Sequence, residues 1–246
     1  MRVPTPRLVQ LFGERCSGTN YVAALLRRNL PQLTATDRYG WKHGFTDRVR
    51  DPAPECLFVV VHRDPFDWVR SLWQQPWHAG PPLRGREFAA FVREPWWCEW
   101  GQDMELAADD PRRGTEMVHE RDPASGQRFA NVLQLRAAKY RDWETLATRV
   151  RHVVAVRYEH AAAEPRAFVR DVARRFGLWR WPWFRGVATR KGGPERFVAT
   201  RYAPIAPADL QWIAMQLDPE LEQRCGYDVA ARVRELAAEL PPAPVP

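Results

Sequence analysis

Lysine is almost missing from these 246 residues: it occurs only at Lys42, Lys139 and Lys191, although lysine and arginine together number 37 and the formal net charge is +7. The base is therefore nearly all arginine. The chain is also rich in alanine and proline, the pattern of a strongly GC-biased coding sequence, so the total charge is a weak guide to partners and the rare lysines become informative. An anionic ligand, a nucleic acid or an acidic polymer is the other reading of such a balance. Cysteine is scarce too. Cys16, Cys56, Cys98 and Cys225 are widely spread with no CxxC pair, which excludes a disulfide framework and a cysteine zinc site. Reduced thiols in a cytoplasm are the simplest setting. The histidines show no HExxH or similar pairing, so no metal is expected. No stretch reaches the roughly 18 apolar residues of a membrane span, and the start of the chain has no signal-like apolar run. No Gly-x-x-x-x-Gly-Lys-Ser/Thr sequence occurs, which disfavours an ordinary ATPase or kinase.

What is present suits one α/β domain. A chain of this length buries roughly 70–75% of the surface its unfolded form exposes and needs no covalent staples. Leu8–Phe12 is a short apolar run ending at Gly13, read as a buried strand. A polar loop, Glu14 to Asn20, follows, and then Tyr21, Val22, Leu25, Leu26 and Asn29 recur at helical spacing up to Pro31. Cys56–His62 holds a continuous β-branched run, Val59 to Val61, as in a parallel strand covered on both faces. Asp64 reads as an N-cap with Pro65 at the first helical position, opening a helix through Trp73. Further helices are expected over 86–93, 129–148, 164–176 (ended by Gly177), 207–217 and 229–240, with a third strand over 152–158 and a polar surface excursion over 101–125. Strands alternating with helices predict a single three-layer α/β domain, a mostly parallel sheet with helices on both faces, over residues 1–240. A flexible Pro-rich tail, 241–246, closes the chain. Ligands of such sheets sit beyond the carboxyl ends of the strands.

Three candidate motifs fall at those ends, after Phe12, after His62 and after Val156; the first two segments carry side chains of anion-binding type. Gly13-Glu14-Arg15-Cys16-Ser17-Gly18-Thr19-Asn20 joins a strand to a helix, where unpaired N–H groups and the helix dipole favour an anion. Ser17, Thr19 and Asn20 add donors, Gly18 permits close approach and Arg15 brings charge. A plain polar turn with a helix cap is the other reading. In the second segment Arg63 ends a strand and Ser71 follows eight residues later, two turns into the helix, so that guanidinium and hydroxyl suit one phosphate. An arginine paired with Asp64 or Asp67 is the alternative there.

Together these segments resemble the nucleotide site of the sulfotransferases that use 3′-phosphoadenosine 5′-phosphosulfate (PAPS). The family's loop, roughly Lys/Arg-Ser-Gly-Thr, is similar to Cys16-Ser17-Gly18-Thr19, preceded by Arg15. Its strand-end Arg and the Ser eight residues on, both on the 3′-phosphate, are matched in type and spacing by Arg63 and Ser71. Tyr158-Glu159 resembles a pair near the adenine, and Arg190-Lys191-Gly192 a return to the 3′-phosphate. The resemblance spans residues 8 to 228. It implies a P-loop-like nucleotide site binding PAPS, with PAP as product, and a hydroxyl or amine acceptor of small-molecule, carbohydrate or lipid nature. It departs from the family at Cys16, where many members have a basic residue. Either Arg15 reaches the sulfuryl group, or Lys42 takes over, or the protein binds nucleotide without much turnover.

Trp41-Lys42-His43-Gly44 lies between the two segments. By the same resemblance His43 is the general base and Lys42 a charge stabiliser. Sulfuryl transfer is an in-line displacement governed by positioning and electrostatics, and histidine is the natural base near neutral pH. Six of the 12 tryptophans fall in two clusters, at 95–100 and 179–184. These clusters read as core, as walls of an acceptor cleft, or as a surface resting on a membrane. A catalytically inactive adenosine-bisphosphate-binding module of the same fold is the competing functional reading. No nucleic-acid partner is expected, because the basic residues are spread throughout and no recognised motif occurs.

Overall fold

The computed structural model describes residues 4–50, 53–101, 104, 106–189 and 200–239. In chain order the elements are β1 (Leu8–Gly13), α1 (Thr19–Asn29), β2 (Thr34–Ala35), β3 (Cys56–His62), α2 (Pro65–Gln74), α3 (Phe88–Arg93), α4 (Val132–Glu144), α5 (Leu146–Arg149), β4 (His152–Arg157), α6 (Tyr158–Ala163), α7 (Pro165–Phe176), α8 (Pro207–Gln216), α9 (Pro219–Arg224) and α10 (Val229–Ala238). They pack as two compact units. One comprises Met1–Trp68 with Lys139–Ala199, the other Val69–Ala138 with Thr200–Pro246. The division falls inside α2 and inside α4.

The first unit is built on a sheet of order β2-β1-β3-β4. Its pairings among the described residues are parallel, with Leu8–Gly13 aligned to Cys56–Val61 and Leu57–His62 to His152–Arg157. Period-two alternation sorts the side chains onto two faces. Val9, Leu11, Leu57, Val59, Val61 and Val156 pack against Val22, Leu25 and Leu26 of α1 and Phe168, Val169 and Val172 of α7. Gln10, Phe12, Phe58 and His62 point the other way. There Phe12 stacks on Phe58 and Trp143, Tyr39 meets Phe58 edge-on and Tyr140 tilts over His62. Helix, sheet and aromatic cover from α4 make three layers, as the alternating sequence predicts.

The order of the strands positions the site. After β1 the chain passes over one face through α1 to β2. It then returns across the other face, where Tyr39 lies, to β3 on the opposite side of β1. The β1/β3 gap is thus a topological switch point, the usual place for a ligand in an open α/β sheet.

In the second unit, Arg136 and Glu222 form a fully buried pair at 2.6 and 2.8 Å. The segment after Trp100 is more integrated than a surface excursion. Glu99 and Glu116 form a bridge, Trp96 donates to Glu120 at 3.1 Å, and both Met117 and Glu120 are buried. Arg128 and Arg121 hold the Glu116 carboxyl down at about 2.

Several expected boundaries move. The helix expected over 129–148 is two, α4 and α5, separated at Thr145. The third strand stops at Arg157, because its last partner, His62, is the end of β3; Tyr158 opens α6 instead. Asp64 caps α2 as expected, accepting from the N–H groups of Phe66 and Asp67, and left-handed Gly177 ends α7. The tail 241–246 lies outside the described residues. Among those described, no helix is long and apolar enough to cross a membrane, and the four cysteines form no disulfide.

Candidate functional site

The loop after β1 turns twice through left-handed backbone, at Cys16 (φ +60) and at Gly18 (φ +88). A side chain in this region costs about 1–2 kcal/mol, so Cys16 holds a strained turn. Gly18 is required twice over, because a Cβ there would lie 2.2 Å from the Tyr158 ring. Gly13 is equally confined, with Thr19, the Val61 carbonyl and Ser17 all within 2.9 Å of where its Cβ would stand. Gly18 is also the N-cap of α1. It offers no side-chain cap, and the first turn carries no acidic residue, so the helix opens without a capping hydrogen bond and with no carboxylate opposing its dipole.

Every turn of this loop is anchored. The Gly13 N–H donates to the Lys42 carbonyl at 3.0 Å. Ser17 spends both its N–H (3.1 Å) and its hydroxyl (2.6 Å) on the Glu14 carbonyl. The Arg15 carbonyl accepts from the Trp68 indole at 2.8 Å, and the Cys16 carbonyl from the Arg63 guanidinium at 2.6 Å. Beneath it, the Lys139 ammonium stands 3.4 Å from the Glu14 carboxylate, both groups buried. Such a loop is preorganised, since its backbone is fixed before any ligand arrives.

The segment 41–49 docks on the loop from the aromatic face. Asp142 of α4 receives the Thr46 N–H (2.6 Å) and hydroxyl (3.0 Å), and Trp143 donates to the Gly44 carbonyl at 3.0 Å. Burial raises the Asp142 carboxyl above its ordinary range, opposed by these two Thr46 donors. So held, Lys42 reaches the first turn of α1, with its ammonium 2.7 Å from Asn20 Oδ1. His43 is buried, with Nδ1 2.6 Å from the Gly13 carbonyl. A carbonyl can only accept, so Nδ1 carries the proton and Nε2 keeps its lone pair. Burial, then the positive charges of Arg15 and Lys42, push the His43 pKa well below its usual value, against the opposing pull of the Gly13 carbonyl. Arg15 itself is buried, its guanidinium 4.7 Å from the Trp41 ring, and Trp41 meets His43 edge-on.

At the start of α6, just after β4, Tyr158 covers Gly18, touches Tyr21 edge-on and lies 5.1 Å from the Arg63 guanidinium. Glu159 accepts from the Asp64 N–H at 2.8 Å, tying the end of β4 to the end of β3.

The switch point therefore gathers Arg15, Cys16, Ser17, Gly18, Thr19, Asn20, Lys42, His43, Arg63 and Tyr158. Ser71 lies on α2 in the part belonging to the second unit, and Arg190, Lys191 and Gly192 lie outside the described residues. Lys139, Glu14, Trp41 and Trp68 are site-building residues that sequence reasoning passed over. The rarity of lysine was the available signal for Lys139, since two of the three lysines converge on this loop. Comparison with family models, with curated proteins and with solved structures finds no match, so the function rests on this geometry.

In chemical terms the site offers a neutral imidazole with a bare ring nitrogen, an uncapped helix start and cations on several sides. It can take a proton from a nucleophile and oppose negative charge at the same place.

Proposed function

We propose that this protein is a PAPS-dependent sulfotransferase, with the loop around Ser17 and Gly18 holding the 5′ end of the nucleotide and Arg63 the 3′-phosphate. The observation that carries the reading is the hydrogen bond of the buried His43 to the carbonyl of Gly13, proton on Nδ1 and lone pair on Nε2, at the start of an anion-sized loop. The donor supplies a sulfuryl group attached to a phosphate leaving group. His43 Nε2 takes the proton of the acceptor hydroxyl or amine as that atom bonds to sulfur and the bond from sulfur to the bridging oxygen breaks. Lys42, reaching over the first turn of α1, opposes the charge that develops on the departing phosphate. Arg15, stacked under Trp41, acts on His43 through space, so Lys42 is the better replacement for the basic residue that Cys16 displaces. The products are the sulfated acceptor and adenosine 3′,5′-bisphosphate.

One observation favours a second reading. Ser17 has both donors turned inward to Glu14, which suits a loop that binds a nucleotide without activating it. In that case the protein is an adenosine-bisphosphate-binding module. Thermal unfolding with adenosine 3′,5′-bisphosphate, AMP and ATP tests what both readings share. A hundredfold excess over Kd stabilises by about 2.7 kcal/mol, and the bisphosphate is expected to raise Tm selectively. No shift with the bisphosphate, or an equal shift with all three, removes both readings. Transfer of labelled sulfuryl from PAPS to a panel of acceptors then separates them.

A further inference from the structure

After left-handed Gly177, residues 178–187 cross the surface of the first unit pinned to the end of α1. Asn29 donates from Nδ2 to the Arg185 carbonyl (2.9 Å), accepts the Arg185 N–H on Oδ1 (2.8 Å) and accepts the Trp181 N–H on its own carbonyl (3.2 Å). Arg28 donates to the Gly186 carbonyl, while Phe184 and Val187 pack against the α1–α7 core. With the backbone tied at these points, what faces outward is fixed rather than incidental.

It is two indoles. Trp179 is 54% exposed and Trp183 61%, with Trp181 between them, edge-on to the first at 4.9 Å and stacked on the second at 6.4 Å. Guanidinium groups ring them. Arg185 lies 4.9 Å from the Trp181 ring and Arg166 5.3 Å from Phe184. Arg166 and Arg180 also line a shallow cavity of about 200 Å³ beside Trp181. Asp171 is engaged by Arg170 and Arg174. Among the described residues, none of Arg166, Arg180 and Arg185 has a carboxylate partner.

We infer that this face docks the protein on an anionic lipid bilayer, with Trp179 and Trp183 entering the headgroup region and Arg166, Arg180 and Arg185 meeting lipid phosphates and carboxylates. Indoles prefer that region because one part of the ring system is apolar and the N–H is wet. Unpaired cations beside them are drawn to the negative surface. A carbohydrate platform would need free amide or carboxylate groups beside its ring to meet hydroxyls, and here both neighbouring amides are committed to backbone, Asn29 to Arg185 and Gln32 to Trp179, while the charged groups beside the rings are cations. The inference stands apart from the sulfotransferase reading. Helix α1 separates the two places by about 15 Å from Thr19 to Asn29, so docking at this end leaves the loop open.

Co-sedimentation of the full chain with vesicles tests it, using phosphatidylcholine alone and phosphatidylcholine with about one-third phosphatidylserine. Binding to the mixed vesicles is expected to exceed binding to the neutral ones and to weaken with added salt. The double variant Trp179→Ala, Trp183→Ala is expected to weaken binding to mixed vesicles about tenfold or more, and Arg166→Gln with Arg180→Gln by a similar factor with most of the salt dependence lost. The arginine pair takes no part in the hydrogen bonds that hold the segment, so it reads the proposal even if the tryptophan variant misfolds. Absence of binding to mixed vesicles, or wild-type binding by the arginine pair, overturns the proposal. So does retention on heparin without vesicle binding, which assigns the face to an acidic polysaccharide.

Discussion

Arg15 and Lys139 at the β1 loop and Arg166, Arg180 and Arg185 at the tryptophan face carry one charge sign on one compact unit, yet they are placed in opposite ways. The first two are buried, Lys139 against Glu14 and Arg15 against Trp41. The other three are exposed, with Arg166 and Arg185 leaning on aromatic rings. Buried charges are screened little by salt and cost much to disturb, whereas exposed ones are screened within about 10 Å and are cheap to lose. The loop therefore suits a job that needs fixed positions, such as orienting a reacting group. The face suits one that needs only summed attraction.

That contrast can be broken at its strongest point. His43 is what the buried cations act on, and losing a positioned base costs on the order of 10²–10⁴ in rate. His43→Ala is expected to lower kcat by that factor, with adenosine-bisphosphate affinity largely kept. Near-wild-type turnover removes His43 from the chemistry. Its pH behaviour follows from the same burial. The folded state disfavours the protonated ring, so the unfolded chain binds the extra proton first as pH falls below the ordinary value of about 6.5. This contribution to stability is complete above that value and is lost as pH falls toward the lowered folded pKa. The acid limb of kcat/KM is accordingly expected below pH 6.5.

Next in size is Lys139→Met, which leaves the Glu14 carboxylate buried without its ammonium. Breaking one partner of a buried pair costs about 3–5 kcal/mol, against about 0.5 kcal/mol or less for Arg180→Gln on the exposed face. Urea unfolding of the two variants compares the clusters directly. Equal losses would mean that Lys139 is no more fixed than a surface arginine.

The sequence was informative where local signals and the sheet agreed. The β-branched run at Cys56–His62, the Asp64 cap with Pro65 and the loop between Phe12 and Tyr21 all stand where the pattern put them. It misled where a partner strand decided the outcome: Tyr158 is a good strand former, but β3 has no residue left to pair with it, so the backbone turns into α6. Asp218-Pro219 carries the start signal of the short helix α9, which sequence reasoning passed over; Asp218 caps it by accepting from the Leu221 N–H at 3.0 Å. Lys139 was hidden for a different reason. On a helix its spacing reads as one more solvated position, and nothing local announces a buried glutamate 125 residues away. The two tryptophan clusters show the same limit. Their compositions match, yet Trp96 is buried with its indole on Glu120 while Trp179 and Trp183 face out, a difference set by tertiary partners alone.

A smaller effect than that of Lys139→Met decides most about the nucleotide. Arg63→Ala removes a charge-assisted bond worth about 1.5–3 kcal/mol, or roughly ten- to a hundredfold in Kd. The magnitude alone is ambiguous, because the same guanidinium holds the Cys16 carbonyl at 2.6 Å and lies beside Tyr158. Its loss could act by loosening the left-handed turn rather than by uncovering a phosphate. AMP resolves this, since it keeps the 5′-phosphate and lacks the 3′ one. If Arg63 meets the 3′-phosphate, calorimetry will show weaker binding of adenosine 3′,5′-bisphosphate and nearly unchanged binding of AMP. If both ligands weaken alike, Arg63 is a brace for the loop and the 3′-phosphate lies elsewhere.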